Sequence, residues 1–258
     1  RQLSEQTRLD ILPSGRLAIQ LSEQTRATGQ TKLPSGRGAA PKARVVELYS
    51  PPRVTQALPA ASGLVAGSTF DLHADIDGVT WDFQKPRDRK RALERIRSEE
   101  PFLVIGSPPC TMFSSLQNLN AKKGEAEWRE QRRAAEVLLV FAATVYQLQV
   151  LAGRHFLHEH PAGATSWSHP TMAKLLATPG VSAVVAHQCA FGLHTSTQAG
   201  GQAPAQKPTR FMSTAPAVLE ALSRRCPGGH PCLLSNSDAA DDLLWLTLGC
   251  RRNNKKNK

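Results

Sequence analysis

From Arg44 onward, short apolar runs alternate with longer amphipathic segments, and these two rhythms predict the elements. Val45–Tyr49, Thr69–Leu72, Phe102–Gly106, Arg154–Glu159 and Val181–His187 read as strands, each four to seven residues bounded by turn formers. Pro86–Ser98 reads as a charged helix with proline at its start, Glu125–Leu151 as a long, largely buried helix, and Pro170–Ala177 and Ala217–Arg225 as shorter ones. Asp241–Leu248 reads as a last short helix or strand. Strands alternating with helices predict an α/β fold, with a mostly parallel sheet and helices on both faces.

The flanks follow neither rhythm. Gln2–Arg8 recurs at Gln20–Arg26, and Leu12–Arg16 recurs at Leu33–Arg37, in a polar stretch with too few large apolar residues to build a core. Residues 1–43 are therefore expected to be a disordered extension, 44–235 the α/β domain, and 236–258 a C-terminal segment ending in a basic, disordered tail. The chain begins at Arg1 and is expected to be part of a longer polypeptide. The net charge of +11 lies mostly outside the domain, because residues 45–250 carry 19 basic against 18 acidic side chains. Nucleic acid is the expected partner of such tails, through loose and salt-dependent contacts.

The longest apolar stretch, Val137–Ala152, is interrupted by Thr144, Gln147 and Gln149, so no membrane association is expected. Five widely spread cysteines suit a reduced, intracellular chain, nuclear or cytoplasmic. Cys226, His230 and Cys232 are zinc-type ligands, with Cys189 or His187 available as a fourth, yet Pro227-Gly228-Gly229 reads equally as a turn. His158 and His160 flank Glu159 and either share a metal or divide between packing and a pocket. No metal site is assigned. The charges of Lys85–Arg97 fit a solvated helix face better than a phosphate-binding stripe.

Chemistry concentrates at the ends of the predicted elements. The run Phe102–Gly106 stops at Ser107-Pro108-Pro109-Cys110, where two prolines remove backbone donors and leave a thiol just beyond the sheet edge. His158-Glu159-His160-Pro161 sits at the end of the next strand, and Lys207-Pro208-Thr209-Arg210-Phe211 comes later. A thiol, a carboxyl and a guanidinium at one edge can serve one pocket, with Cys110 as nucleophile, Glu159 as acid and Arg210 as the cation steadying developing charge.

In wording and order these motifs resemble the C5-cytosine DNA methyltransferases. Pro108-Pro109-Cys110-Thr111-Met112-Phe113-Ser114 matches the family's Pro-Pro-Cys-x-x-Phe-Ser loop after the fourth strand. Glu159-His160-Pro161 matches its Glu-Asn-Pro loop with His in place of Asn, and Arg210 is a looser match to its arginine motif. The likeness covers about residues 45–215. The chain also looks like divergent members embedded in retroelement polyproteins, where Glu47–Arg53 and Phe156–Gly163 have counterparts.

The resemblance implies a Rossmann-like methyltransferase core in which Cys110 attacks C6 of an extruded cytosine, Glu159 contacts N3, and S-adenosylmethionine supplies the methyl group. Tyr49, Ser50, Asp71, Asp82 and Pro108 would then neighbour the cofactor. Two departures stand beside it. The family's Phe-x-Gly-x-Gly loop is here Tyr49-Ser50-Pro51-Pro52-Arg53, and only 48 residues follow Arg210, too few for the family's recognition lobe. The alternative expectation is a catalytically inactive nucleic-acid-binding module of a mobile-element polyprotein.

Overall fold

The computed structural model describes residues 7–11, 17–21, 43–73, 78–114, 117, 125–197, 201–228 and 233–234. The readings made for the C-terminal tail, for Asp241–Leu248, and for His230 and Cys232 lie outside these residues. Within the stretch read as a disordered extension, Thr7–Ile11 (β1) and Leu17–Leu21 (β2) form an antiparallel pair.

The central element is a six-stranded sheet in the order β4-β3-β5-β6-β10-β7. Its strands are Ala43–Leu48 (β3), Leu64–Phe70 (β4), Leu103–Gly106 (β5), His155–Pro161 (β6), Pro208–Ser213 (β10) and Ser182–His187 (β7). β4, β3, β5 and β6 pair in parallel, and β10 runs antiparallel between β6 and β7. His194–Ser196 (β8), Gln202–Gln206 (β9) and Leu233–Leu234 (β11) form a small separate sheet. The chain is thus α/β with a mixed, mostly parallel sheet, as its rhythm predicts.

Strand parity sorts the core. Val46, Leu48, Val104, Phe156 and Met212 face a cluster completed by the helices Pro86–Glu99 (α1), Glu125–Leu151 (α2) and Pro170–Leu176 (α3). Val45, Leu103, Leu157 and Phe211 face the other side, against Val218, Leu219 and Leu222 of helix Pro216–Leu222 (α4). Neighbours along a strand point to opposite faces, so each strand feeds both clusters.

α2 is the one described helix long and apolar enough to cross a membrane by length and composition. It buries Leu139, Ala142, Val145, Tyr146 and Gln149 in the core and exposes Val137, Val140, Thr144, Gln147 and Leu151, the two-sided pattern of a packed surface helix.

Two further corrections concern strands. β4 begins at Leu64, five residues before the predicted Thr69, and ends at Phe70, which leaves Asp71 immediately beyond it. Of the Lys-Pro-Thr-Arg segment, which the sequence pattern assigns to no element, Lys207 precedes β10 and Pro208, Thr209 and Arg210 open it. Phe211, Met212 and Ser213 of that strand are all buried, so no polar–apolar alternation marks it in the sequence.

One feature of register positions the site. Leu48, Gly106 and His158 lie side by side across β3, β5 and β6; β3 and β5 end there and release their loops at one edge, while β6 runs on to Pro161 and carries Glu159 and His160 past that edge. β3 is flanked by β4 on one side and β5 on the other. The chain therefore reverses its direction of travel across the sheet at β3, the topological switch point where open α/β sheets hold ligands beyond their carboxyl ends.

Candidate active site

Two neighbouring cavities open at this edge. The first, about 300 Å³, collects Glu47, Tyr49, Ser50 and Arg53 from the end of β3 and its loop. Ser107 to Cys110 enter it from β5, Glu159 and His160 from β6, and Lys207 from the residue before β10. The second, about 340 Å³, lies over the end of β4 and is lined by Phe70, Asp71, Trp81, Asp82 and Phe83, among others. Tyr49 and Pro109 line both cavities and form the wall between them.

The thiol loop is held at four points. Ser107 Oγ donates to Glu159 Oε2 at 2.9 Å, and the Pro108 carbonyl lies 2.8 Å from His160 Nε2. Further along, Arg132 of α2 donates to the Met112 carbonyl at 2.6 Å, and Thr165 Oγ1 donates to the Phe113 carbonyl at 3.1 Å. Phe113 is fully buried beneath the Arg132 guanidinium, 4.3 Å from its ring centroid. Cys110 sits between these anchors, 6% exposed, at the start of the 3-10 turn Thr111–Phe113. The Pro-Pro-Cys-x-x-Phe pattern thus reads physically: the prolines end the strand, and the phenylalanine pins the far side of the loop.

His160 bridges two elements. A carbonyl oxygen only accepts, so Nε2 carries the proton donated to Pro108, and Nδ1 lies 2.6 Å from Ser166 Oγ, within hydrogen-bond distance. His158 takes the packing role. It is fully buried, stands edge-on to Tyr146 and Trp167, and meets the Tyr146 hydroxyl through Nδ1 at 3.2 Å. Burial, and the neighbouring His160, hold the His158 pKa well below the usual 6.5. Its Nε2 has no hydrogen-bond partner among the described residues. No cluster of metal-ligating side chains occurs among the described residues either.

The loop after β3 is built without glycine. Glu47, 2% exposed, accepts from the Arg53 amide at 3.0 Å, the Thr55 amide at 2.8 Å, the Thr55 hydroxyl at 2.7 Å and Ser50 Oγ at 3.2 Å. One buried carboxylate therefore folds the Ser-Pro-Pro-Arg turn around itself. Tyr49 enters that turn with φ of 62°, a strained conformation for a bulky residue and one that favours functional sites. It is secured by its amide to the Phe70 carbonyl at 2.8 Å and by its hydroxyl to the Leu138 carbonyl at 2.7 Å. Burial raises its phenol pKa well above 10.

Of the residues singled out in the sequence, Cys110, Glu159, Tyr49, Ser50 and Pro108 line the first cavity, and Tyr49, Asp71 and Asp82 line the second. Arg210 lines neither. It pairs across the sheet with His160, on the face opposite Glu159, and its guanidinium lies 4.7 Å from the Trp167 ring centroid. The cation of the first cavity from this segment is Lys207, 4% exposed. Sequence reasoning also passed over Glu47 and Arg53 as site residues, although a lone acid ending an apolar strand was the available signal for Glu47. Of Cys226, His230 and Cys232 only Cys226 is described; its amide donates to Nδ1 of His187, one of the two residues named as a fourth ligand, at 3.0 Å.

No model of a known protein family matches the chain. No curated protein matches it.

Proposed function

We propose that this chain is a methyltransferase-like domain of the C5-cytosine type, acting on DNA with S-adenosylmethionine and built on a Rossmann-like core. The observation that carries this reading is the shared cavity of Cys110 and Glu159, whose loops are tied together by the Ser107–Glu159 hydrogen bond at 2.9 Å.

The cofactor's chemistry suits the residues present. Asp71, directly after the second strand of the parallel set and 6% exposed, offers a carboxylate for ribose hydroxyls, and Trp81 and Phe83 offer aromatic walls for adenine. Tyr49 and Pro109 border the passage toward Cys110. When bound, S-adenosylmethionine supplies an electrophilic methyl group.

The rest of the chemistry belongs to the chain. Cys110 Sγ, as thiolate, forms a bond to C6 of a cytosine that has left the base stack. Glu159 meets N3 and provides the proton that lets the ring accept the electron pair, and Ser107 keeps its carboxyl oriented. Lys207 supplies positive charge beside the activated ring. Once C5 carries the methyl group, loss of its proton to solvent breaks the C6–S bond, returns the electron pair to Cys110 Sγ as thiolate, and the N3 proton goes back to Glu159.

One observation favours the rival, a catalytically inactive nucleic-acid-binding module of a mobile-element polyprotein. Pro51 and Pro52 lack donors, and Glu47 already takes the amides of Arg53 and Thr55, so few backbone donors remain at the switch point. Either reading has DNA as partner and an intracellular setting, nuclear or cytoplasmic.

Trapping separates the two. With S-adenosylmethionine and single-stranded 5-fluorocytosine DNA, the enzyme forms a covalent adduct stable to denaturation, because fluorine at C5 blocks the closing elimination; Cys110→Ser forms none. DNA binding without an adduct, and without calorimetric binding of the cofactor, establishes the rival.

A further inference from the structure

The first cavity is lined by the cations Arg53 and Lys207 together with the acids Glu47 and Glu159, and Arg53 is the cation that the β3 loop contributes.

Few backbone amides of this turn are left to hold an anion. The Tyr49 amide is bonded to Phe70, the Arg53 and Thr55 amides to Glu47, and Pro51 and Pro52 have none. A glycine-rich turn offers an anion a nest of N–H groups, and this turn keeps few of them. The charged side chain at the same turn is Arg53. Its planar guanidinium matches a carboxylate through two parallel hydrogen bonds, which a lysine ammonium does not reproduce.

We propose that Arg53 is the carboxylate-recognition residue of this site, taking the amino-acid end of a nucleoside-linked amino acid whose nucleoside occupies the second cavity. The assignment rests on the cofactor reading above and adds to it the group that replaces the glycine loop. The path is continuous: a ligand leaving Asp71, Trp81 and Phe83 must pass Tyr49 and Pro109, and on the far side it meets Ser50 and Arg53. Glu47 holds the turn through the Arg53 backbone amide, so changing the Arg53 side chain leaves that anchor in place.

Calorimetry with two ligands tests the assignment on the full chain. S-Adenosylhomocysteine carries the amino acid, and 5′-methylthioadenosine is the same nucleoside thioether without it. Arg53→Gln is expected to weaken S-adenosylhomocysteine by about 10- to 100-fold, the scale of a lost charge-assisted pair, and to leave methylthioadenosine within about 2-fold. Arg53→Lys is expected to fall between Gln and Arg for the first ligand alone. If both ligands weaken equally, Arg53 only supports the cavity; if neither weakens, the carboxylate is held elsewhere. Either result overturns the assignment while sparing the cofactor reading. Failure of the unaltered chain to bind either ligand overturns the cofactor reading, and this assignment with it.

Discussion

His160 Nε2 lies 2.8 Å from the carbonyl oxygen of Pro108, so the end of one strand grips the loop that the neighbouring strand delivers. The two residues are 52 positions apart, and they meet because β6 extends past the end of β5, alongside the loop that β5 releases. Through this contact the position next to the site's acid fixes the backbone two residues before its thiol.

That grip has a measurable strength. His160→Ala leaves the buried Pro108 carbonyl and Ser166 hydroxyl without their ring partner, and is expected to lower unfolding free energy by about 1–3 kcal/mol in urea titrations. Iodoacetamide should also label the 6%-exposed Cys110 faster in the variant, because its loop is released on one side. Unchanged stability and labelling would mean that the Ser107–Glu159 bond, Arg132 and Thr165 hold the loop without His160.

Gly106 and Tyr146 form a second tight relationship. A Cβ at residue 106 would lie 2.2 Å from the Tyr146 hydroxyl, which uses that space to reach His158. Gly106→Ala is expected to cost about 1–3 kcal/mol through overpacking. Tyr146→Phe should be costly alone, since it strips His158 Nδ1 of its partner. The double variant is expected to be less destabilised than the sum, a coupling of about 1 kcal/mol or more read from a double-mutant cycle.

Stability is expected to fall in mild acid. Burial holds His158 well below its usual pKa, and burial followed by the neighbouring Arg225 lowers that of His187. An imidazole depressed in this way binds fewer protons folded than unfolded. Its contribution is therefore complete above about pH 6.5 and is lost as pH falls from there toward the folded value, at up to about 1.4 kcal/mol per pH unit for the fully buried His158 and less for His187, whose charge the solvent screens. Urea titrations at pH 7.5 and 5.5 should show this loss, and His158→Gln should show a smaller one. An equal loss in both proteins would assign the effect to His187 or to other groups.

Arg210 and Lys207 should separate by readout. Arg210→Ala removes a cation–ring contact with Trp167 and is expected to cost about 0.5–1 kcal/mol of stability while leaving Cys110 labelling unchanged. Lys207→Met, inside the first cavity, is expected to change the labelling rate of Cys110 with an anionic reagent such as iodoacetate more than with neutral iodoacetamide. The opposite pattern would return Arg210 to the cavity.

What the sequence determined by itself is local. Val45–Tyr49, Phe102–Gly106 and Val181–His187 are apolar runs cut by turn formers, and they became β3, β5 and β7 because short buried strands need nothing more. Glu125–Leu151 announced its length as α2, and Pro108-Pro109 announced where β5 must stop and where Cys110 must stand. The pairing of Cys110 with Glu159 in one cavity was also legible, since parallel strands send successive loops to one edge.

Only the tertiary structure decided the rest. β10 is antiparallel between two parallel strands, and its parity in that pairing, which no local pattern encodes, turned Arg210 toward Trp167 and left Lys207 at the cavity. The role of His160 depended on a carbonyl from another strand, and that of Gly106 on a hydroxyl from α2. Glu47 drew its partners from a turn that folds back over its own strand end, so its hydrogen bonds became visible only in three dimensions. Propensity and periodicity act over a few residues, whereas these contacts are selected by which surfaces the whole sheet and its helices bring within hydrogen-bond reach.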